Sequence, residues 1–340
     1  MTTGTKAEVL LDVQDLTVSF PGPDGDVRPV QGVSFTIGQG ETLAVVGESG
    51  SGKSVTSLAI MGLLPPHAKV TGRILWHRNG DVIDLAQLDA RQMRKVRGRE
   101  IAMIFQEPMT SLNPLHSVGK QIIEAIRLHR GVSRREAQTM AESMLSLVGL
   151  PEPKRQMNRW PHEMSGGQRQ RVMMAVALSC RPALLIADEP TTALDVTIQA
   201  QILELLRRLQ AELGMSMLFI THDLGVVSEI ADRMSVLYAG RIMESGPVRD
   251  VLDRPHHPYT RGLLGSVPTL QGETGRLDAI PGMVPDLTKL PPGCRFAPRC
   301  KSVDSIRCTA AEPALDVVTS SRIVRCLLWQ ELSVAVHAAN

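Results

Sequence analysis

Residues 47–54 have the side chains and the spacing of a phosphate-binding loop. They read Gly-Glu-Ser-Gly-Ser-Gly-Lys-Ser and follow an apolar run at residues 43–46, so a strand leads into a G-x-x-x-x-G-K-S turn. The glycines let successive backbone N–H groups face an anion, and the helix that begins near Lys53 points its positive end at the same anion. Lys53 can reach the β- and γ-phosphates of a nucleotide, and the Ser54 hydroxyl can bind Mg²⁺. The pattern predicts a nucleotide site at Gly47, Glu48, Ser49, Gly50, Ser51, Gly52, Lys53, Ser54 and Val55.

A second apolar run, residues 184–187, ends in the acids Asp188 and Glu189. An acid at the carboxyl end of a strand beside a phosphate loop can hold Mg²⁺, and we assign this role to Asp188. Glu189 is then expected to point toward the γ-phosphate and to polarise the attacking water. The two motifs together predict nucleotide hydrolysis.

Composition limits the class of protein. The chain has 340 residues, enough for one large domain or two, and 43% of them are hydrophobic. Its 37 Lys and Arg nearly balance 35 Asp and Glu, which argues against a dedicated nucleic-acid binder. No apolar stretch reaches the roughly 18 residues of a membrane span, and residues 1–8 lack a signal pattern. We therefore expect a cytosolic chain.

The elements that must position these motifs follow from hydrophobic periodicity. Residues 9–46 alternate as strands, a helix is expected over 54–64 before Pro65 and Pro66, and another strand over 101–105. Residues 117–150 have helical spacing, and strands and helices alternate from residue 182. This order predicts an α/β core with a mostly parallel sheet. Prolines and four of the five cysteines crowd the region after residue 255, which is expected to form a small module with little apolar core of its own.

The remaining motifs carry a resemblance to a known family. Ser165, Gly166, Gly167 and Gln168 open a helix and resemble the signature motif of the ATP-binding cassette family. The other family motifs follow in order, so the resemblance assigns Gln106 to the Q-loop, residues 193–195 with Asp195 to the D-loop, His222 to the switch, and Phe20 to the adenine. The catalytic residues that it implies are Glu189, His222, Gln106 and Lys53. The magnesium ligands that it implies are Ser54, Gln106 and Asp188.

The resemblance also implies an architecture. We expect a P-loop ATPase core, an antiparallel β subdomain and an inserted helical subdomain at about 107–180, all within a nucleotide-binding domain at 9–255. In this family two cassettes pair head to tail, and the signature loop of one contacts the γ-phosphate held by the other. Ser165 and Gly167 would therefore act on the partner's nucleotide, and the chain needs a second cassette.

Segments at 106–114, 257–264, 280–282 and 290–300 resemble ATPases of oligopeptide and dipeptide importers, and they define a C-terminal module at 256–340. The implied function is ATP hydrolysis that powers peptide import. Nickel, opine or other small-solute import remains an alternative within the family, and a cytosolic ATPase acting on nucleic acid is a distant one. The implied partners are two transmembrane permease subunits, a second and different ATPase chain, and an extracytoplasmic substrate-binding protein. The expected location is the cytoplasmic face of the cell membrane, with no nucleic acid bound.

The five cysteines divide into two groups. Cys180 lies among helical apolar residues and is interpreted as core. The other four lack the C-x₂-C spacing typical of zinc, and a cytosolic location disfavours a disulfide. Four thiolates suit a 4Fe–4S cluster, and the resemblance supports this because cluster-bearing tails are known among peptide-importer ATPases. Another metal and four free thiols remain alternatives for Cys294, Cys300, Cys308 and Cys326.

Overall fold

The computed structural model describes residues 8–23, 25–78, 80–106, 112–192, 195–266 and 279–332. Its contacts divide the chain into two compact units, which are described separately. The first unit comprises Met1–Val9, Ile37–Glu41 and Gln87–Phe219, and the second comprises Leu10–Thr36, Thr42–Ala86 and Ile220–Asn340. The domain limits expected from the sequence stay predictions.

The described strands are, in chain order, β1 Val9–Phe20, β2 Val27–Gly38, β3 Thr42–Val46, β4 Lys69–Arg78, β5 Asp81–Asp84, β6 Ile101–Ile104, β7 Leu184–Asp188, β8 Ser216–Thr221, β9 Arg233–Tyr238, β10 Arg241–Pro247, β11 Asp316–Thr319 and β12 Arg322–Val324. The described helices are α1 Lys53–Ile60, α2 Ala90–Val96, α3 Val118–Arg130, α4 Arg134–Leu147, α5 Pro153–Gln156, α6 Gly166–Leu178, α7 Val196–Leu213, α8 Leu224–Ile230, α9 Val248–Asp253, α10 Pro258–Gly265 and α11 Arg307–Ala310. Within the described ranges, none of these helices combines the length and the apolarity that crossing a bilayer requires.

In the first unit, helices pack beside short buried strands. β6 and β7 pair in parallel, and each is buried along its whole length. Helices α3, α4 and α6 pack against one another, with apolar residues on one face, such as Val118, Ile122 and Ile126 of α3. Ser117 and Ser133 cap α3 and α4 through side-chain oxygens that accept backbone N–H bonds. This arrangement confirms the helical spacing seen at residues 117–150.

The second unit contains two sheets. One is the expected antiparallel sheet, ordered β2-β1-β4-β5. In the other, β3 pairs in parallel with β9, and the order continues antiparallel through β10 and β12 to β11. The expected α/β core is therefore confirmed, but this sheet is mixed. The hairpin between β9 and β10 turns on Ala239 and Gly240, both with positive φ, a two-residue turn that sequence patterning did not predict.

The end of α1 differs from its prediction. The sequence analysis placed it before Pro65 and Pro66, whereas the helix ends at Ile60. Gly62 has a φ of 59°, and the Leu63 N–H donates to the Leu58 carbonyl at 2.8 Å. This six-to-one bond satisfies a terminal carbonyl, so a left-handed glycine ends the helix before the prolines.

The C-terminal tail has a core that it shares with strands of the mixed sheet. Tyr259, Phe296 and Val324 are buried in one cluster with Val46 of β3 and Tyr238 of β9. Cys294, Cys308 and Cys326 belong to the same cluster.

A buried ion pair also joins this tail to the sheet. The side chain of Glu244 on β10 is fully buried, and its carboxylate accepts from Arg322 of β12 at 2.6 Å. The backbone N–H groups of His256 and His257 donate to the same carboxylate at 2.9 and 3.0 Å. The pair thus connects β10, β12 and the segment that precedes α10.

We predict that Arg322→Met destabilises the chain by about 3 kcal/mol or more, because it leaves the Glu244 carboxylate buried without its cation. The measurement is the midpoint of urea-induced unfolding. Arg307→Met is the control, since Arg307 pairs with Glu331 in the same tail but at the surface. Equal midpoints for the two variants would show that the buried pair stabilises the chain no more than the surface pair does.

Candidate nucleotide site

The phosphate loop is shaped by close backbone contacts. β3 is buried throughout, the loop leaves it at Gly47, and α1 begins at Lys53. A Cβ on Gly47 would lie 2.1 Å from the Leu237 carbonyl oxygen, and a Cβ on Gly52 would lie 2.2 Å from that of Pro29. Both glycines have positive φ, at 154° and 103°, so any side chain there would meet both a clash and backbone strain.

The loop presents a positive, amide-lined surface. Gly52 is the N-cap of α1 and, as a glycine, has no side chain that could cap it. The loop therefore leads directly into the first amides and the positive end of the helix, which can face an anion. The Lys53 ammonium donates to the carbonyls of Gly47 and Glu48 at 2.7 and 3.0 Å, which holds it over the loop. A cradle of amides with one ammonium is suited to an anion such as a phosphate.

The acidic end of β7 lies in the first unit. Asp188 is buried, and the next residue, Glu189, has a φ of 46°, an uncommon left-handed conformation for a side-chain-bearing residue. The Glu189 carboxylate accepts from the Gln106 amide at 2.9 Å and from the Thr192 hydroxyl at 2.9 Å, both at Oε2. The structure therefore brings together Gln106 and Glu189, which the sequence separates by 83 positions.

The signature residues open helix α6 in the same unit. Ser165 is the N-cap: its hydroxyl accepts from the Gln168 N–H at 3.3 Å, and its own N–H donates to the Gln168 side-chain oxygen at 3.2 Å. Ser165 and Gly166 are exposed, and Gly167 packs against Ile198 of α7. The glycine-bearing end of α6 thus lies at the surface of its unit.

The other predicted residues are placed as follows. Asp195 caps α7 by accepting from the Ile198 N–H at 2.9 Å, while residues 193 and 194 of the predicted D-loop lie outside the described residues. Residues 107–111, after Gln106, also lie outside them. His222 is exposed directly after β8. Phe20 ends β1 half-buried, with its ring 6.0 Å from that of His67 in an edge contact. Phe20, His222 and the phosphate loop belong to the second unit, and the other residues predicted for the nucleotide site belong to the first.

Sequence reasoning missed two residues that contact the loop, Tyr259 and Arg299, and a third, Tyr238, that contacts both of them. The Glu48 N–H donates to the Tyr259 hydroxyl at 2.9 Å, and the Glu48 carboxylate accepts from Arg299 at 2.8 Å. The Tyr238 hydroxyl accepts from Arg299, and the Tyr238 ring packs against that of Tyr259. Burial raises the pKa of both tyrosine hydroxyls. For Arg299, burial lowers the pKa, but hydrogen bonds to Glu48 and Tyr238 outweigh it and raise the pKa. No motif could have indicated these partners, because they lie about two hundred residues or more from the loop.

The four tail cysteines lie within electrostatic reach of one another. Burial raises the pKa of Cys294 to about 11 and that of Cys326 to about 12, and the neighbouring cysteines add to both shifts. Backbone N–H groups two residues onward oppose the rise: they bond to the sulfurs of Cys294, Cys300 and Cys326. Among the described residues, however, no group of three or more His, Cys, Asp or Glu side chains is arranged to hold a metal ion. The iron–sulfur prediction is therefore not supported by the geometry of a metal site.

Comparison with known proteins agrees with the motifs. Residues 30–192 match the family described as "ABC transporter", and residues 243–308 match "Oligopeptide/dipeptide transporter, C-terminal region". A putative peptide import ATP-binding protein of Brucella melitensis is 52% identical over 95% of this chain and 98% of its own length. An oligopeptide transport ATP-binding protein of Salmonella typhimurium is 50% identical over 94% of each chain.

Among solved structures, the chain is similar to a dimeric ATP-binding cassette in a post-hydrolysis state with ADP and Pi. The TM-score is 0.62 at 29% identity, over 71% of this chain and 99% of that one. A chain of a Clostridium perfringens cassette from an ABC transporter complex gives a TM-score of 0.61 at 28% identity, over 72% and 91% of the two chains.

We predict that Lys53→Ala weakens ATP binding at least tenfold, roughly the loss expected from one charge-assisted hydrogen bond. The measurement is the Kd of a fluorescent ATP analogue for the purified full chain. Lys69→Ala, an exposed lysine of β4 in the same unit, is the matched control and should bind normally. A Lys53→Ala chain that melts at the wild-type temperature and binds ATP with unchanged affinity would refute the assignment.

Proposed function

Since this chain belongs to the ATP-binding cassette transporter family, we propose that it is the ATPase subunit of an importer for oligopeptides or dipeptides. The observation that carries the proposal is the combination, in one chain, of the glycine-shaped phosphate loop and the peptide-transporter C-terminal region. Relatives similar over nearly their whole length are named for peptide, dipeptide or oligopeptide transport, which favours peptides over nickel or opines as the solute.

ATP binding is assigned to the second unit. The loop amides and the N-terminus of α1 receive the phosphates, and Lys53 exchanges a loop carbonyl for phosphate oxygens. Phe20 is proposed to stack on the adenine, since its ring is half-exposed at the end of β1. His222, exposed after β8, is proposed to contact the γ-phosphate.

Hydrolysis is assigned to Glu189. The Gln106 amide and the Thr192 hydroxyl fix its carboxylate, so that it can orient a water for attack on the γ-phosphate. The donor set of Ser54, Asp188 and Gln106 consists of oxygens, the ligands that Mg²⁺ prefers. Because Gln106 donates through its amide nitrogen to Glu189, its amide oxygen is the end that would face the metal. When bound, Mg²⁺ neutralises charge on the phosphates.

A second cassette is proposed to complete each site. Ser165 and Gly166 are exposed at the start of α6, where backbone amides can reach a phosphate held by another chain. The dimeric state of a similar solved cassette supports this arrangement. The further partners proposed are two permease subunits and an extracytoplasmic substrate-binding protein, with the chain bound at the cytoplasmic face of the membrane.

We predict that Glu189→Gln lowers ATP turnover by roughly 10²–10⁴-fold and leaves ATP binding intact, because the amide keeps the shape and loses the base. Turnover is measured in the reconstituted complex, with the phosphate-loop lysine of the partner cassette substituted so that only this site is read. Glu142→Gln, a surface acid on α4, is the control. Wild-type turnover by Glu189→Gln in that complex would remove Glu189 from the role.

We also propose that the four tail cysteines hold a 4Fe–4S cluster. Cys294, Cys308 and Cys326 are buried in one cluster, and Cys300 packs against it, so the four thiols share one region of the tail. Four cysteine ligands are the set that a 4Fe–4S cluster uses. A cluster also spreads its cysteines more widely than a single ion does, so the geometry that a lone metal ion requires is not the one expected here. The cluster's role would be structural, since it would cross-link the tail within the core shared with β3 and β9.

The full chain purified without oxygen is expected to contain about four iron atoms per molecule. Cys326→Ser should lower the iron content, whereas Cys180→Ser should leave it unchanged, because Cys180 is not one of the four tail cysteines and is buried in the first unit. Anaerobic protein without iron would show that the tail folds by packing alone.

A further inference from the structure

An arginine of the C-terminal tail forms an ion pair with the phosphate loop. Arg299 lies on the short 3-10 turn Ala297–Arg299, and its guanidinium donates to the Glu48 carboxylate at 2.8 Å. The Arg299 side chain is 7% exposed and that of Glu48 is 26% exposed, so solvent screens this pair far less than a surface pair. Both residues lie in the second unit.

Each nitrogen of the Arg299 guanidinium has a hydrogen-bond acceptor. Its Nε donates to the Pro281 carbonyl at 2.8 Å and its Nη2 to the Gly282 carbonyl at 3.3 Å. It also lies 5.7 Å from the centre of the Tyr238 ring. A planar cation held this firmly loses little entropy when it orders its carboxylate partner.

A second tail contact holds the backbone of the same loop residue. The Glu48 N–H donates to the hydroxyl of Tyr259, a residue of α10 that is fully buried. The Tyr259 ring packs 4.6 Å from that of Tyr238 and 5.3 Å from that of Phe296. The side chain and the main chain of Glu48 are thus held by two different segments of the tail.

Glu48 is the position where such contacts affect the nucleotide. Its carbonyl and that of Gly47 accept from the Lys53 ammonium, so fixing Glu48 also fixes the acceptors that place the lysine. Its carboxylate adds a negative charge to a loop that binds a polyanion, and at short range in a poorly solvated site that repulsion is costly. Arg299 cancels this charge.

We propose that Arg299 and Tyr259 are positioning residues for ATP, through which the tail completes the nucleotide site of its own chain by holding and neutralising Glu48. This inference rests on the proposed function, because it takes ATP as the ligand of the loop. The tail therefore sets how tightly the loop binds ATP, while Glu189 and its partners set the rate of the chemical step.

The test compares ATP affinity and kinetics in the full chain and in the reconstituted complex. Arg299→Met should weaken ATP binding about tenfold and raise KM by a similar factor, with kcat changed less than about twofold. Glu48→Gln is the background in which the Arg299 change is repeated, because the amide removes the charge that Arg299 neutralises. Added to Glu48→Gln, Arg299→Met should weaken binding by less than about threefold, because no unpaired carboxylate remains. Tyr259→Phe should weaken binding by a few-fold, since the Glu48 N–H loses its acceptor.

Two controls separate positioning from folding. Arg307→Met removes an exposed arginine of the same tail and should leave both ATP affinity and KM unchanged. Arg299→Lys keeps the positive charge and loses the planar fork, so its affinity should lie between those of wild type and Arg299→Met.

Normal ATP affinity in Arg299→Met overturns the inference, as does a loss that Glu48→Gln does not rescue. If Arg299→Met does not fold, normal ATP affinity in Tyr259→Phe overturns it instead, because that isosteric change removes the acceptor of the Glu48 N–H. In each of these cases a wild-type chain that binds and hydrolyses ATP leaves the proposed function standing. A wild-type chain that binds no ATP would refute the proposed function itself.

Discussion

The nucleotide site depends on two points where the loop backbone passes a neighbouring carbonyl so closely that no side chain fits. Gly47 meets the Leu237 carbonyl at the end of β9, and Gly52 meets that of Pro29 in β2. A hydrogen bond also reaches the loop from the turn that follows β9: the Gly240 N–H donates to the Ser51 carbonyl at 3.0 Å. The conformation of the loop therefore depends on β2 and β9 as well as on its own sequence. The β9–β10 hairpin packs directly against the loop.

Much of the fold was predictable because its signals are local. The phosphate loop, the helical spacing at 117–150 and the alternation after residue 182 each lie within one or two elements, where periodicity and turn chemistry decide the structure. The left-handed stop at Gly62 and the Ala239-Gly240 hairpin were also local, but glycines occur in too many settings for either to be recognised without the backbone angles. The sheet-extending strands β10, β11 and β12 are short and polar in part, so their pairing is set by tertiary contacts rather than by propensity.

The candidate site was predictable as a set of residues but not as a set of contacts. The motifs placed Gln106 and Glu189 at one site, but the hydrogen bond between them, and the Thr192 hydroxyl that completes it, depend on how β6 and β7 lie side by side. No sequence pattern predicts the partners of Glu48, because Tyr259 and Arg299 reach the loop only through the tertiary contacts of the tail. The proline-rich tail packs on the sheet through aromatic side chains. The rings of Tyr259 and Phe296 in the tail contact each other and the ring of Tyr238 in β9.

The distance along the chain between the phosphate loop and its tail contacts has a consequence for biosynthesis. Arg299 follows Glu48 by 251 positions, and β9, which pairs with the strand leading into the loop, follows β3 by nearly two hundred. At the usual pace of translation, roughly 10–50 s separate the appearance of the loop from that of its arginine. A nascent chain therefore carries a phosphate loop that is not yet braced, and a product truncated before the tail never acquires the brace. The contact between Arg299 and Glu48 therefore distinguishes a chain that has been translated through residue 299 from a shorter one.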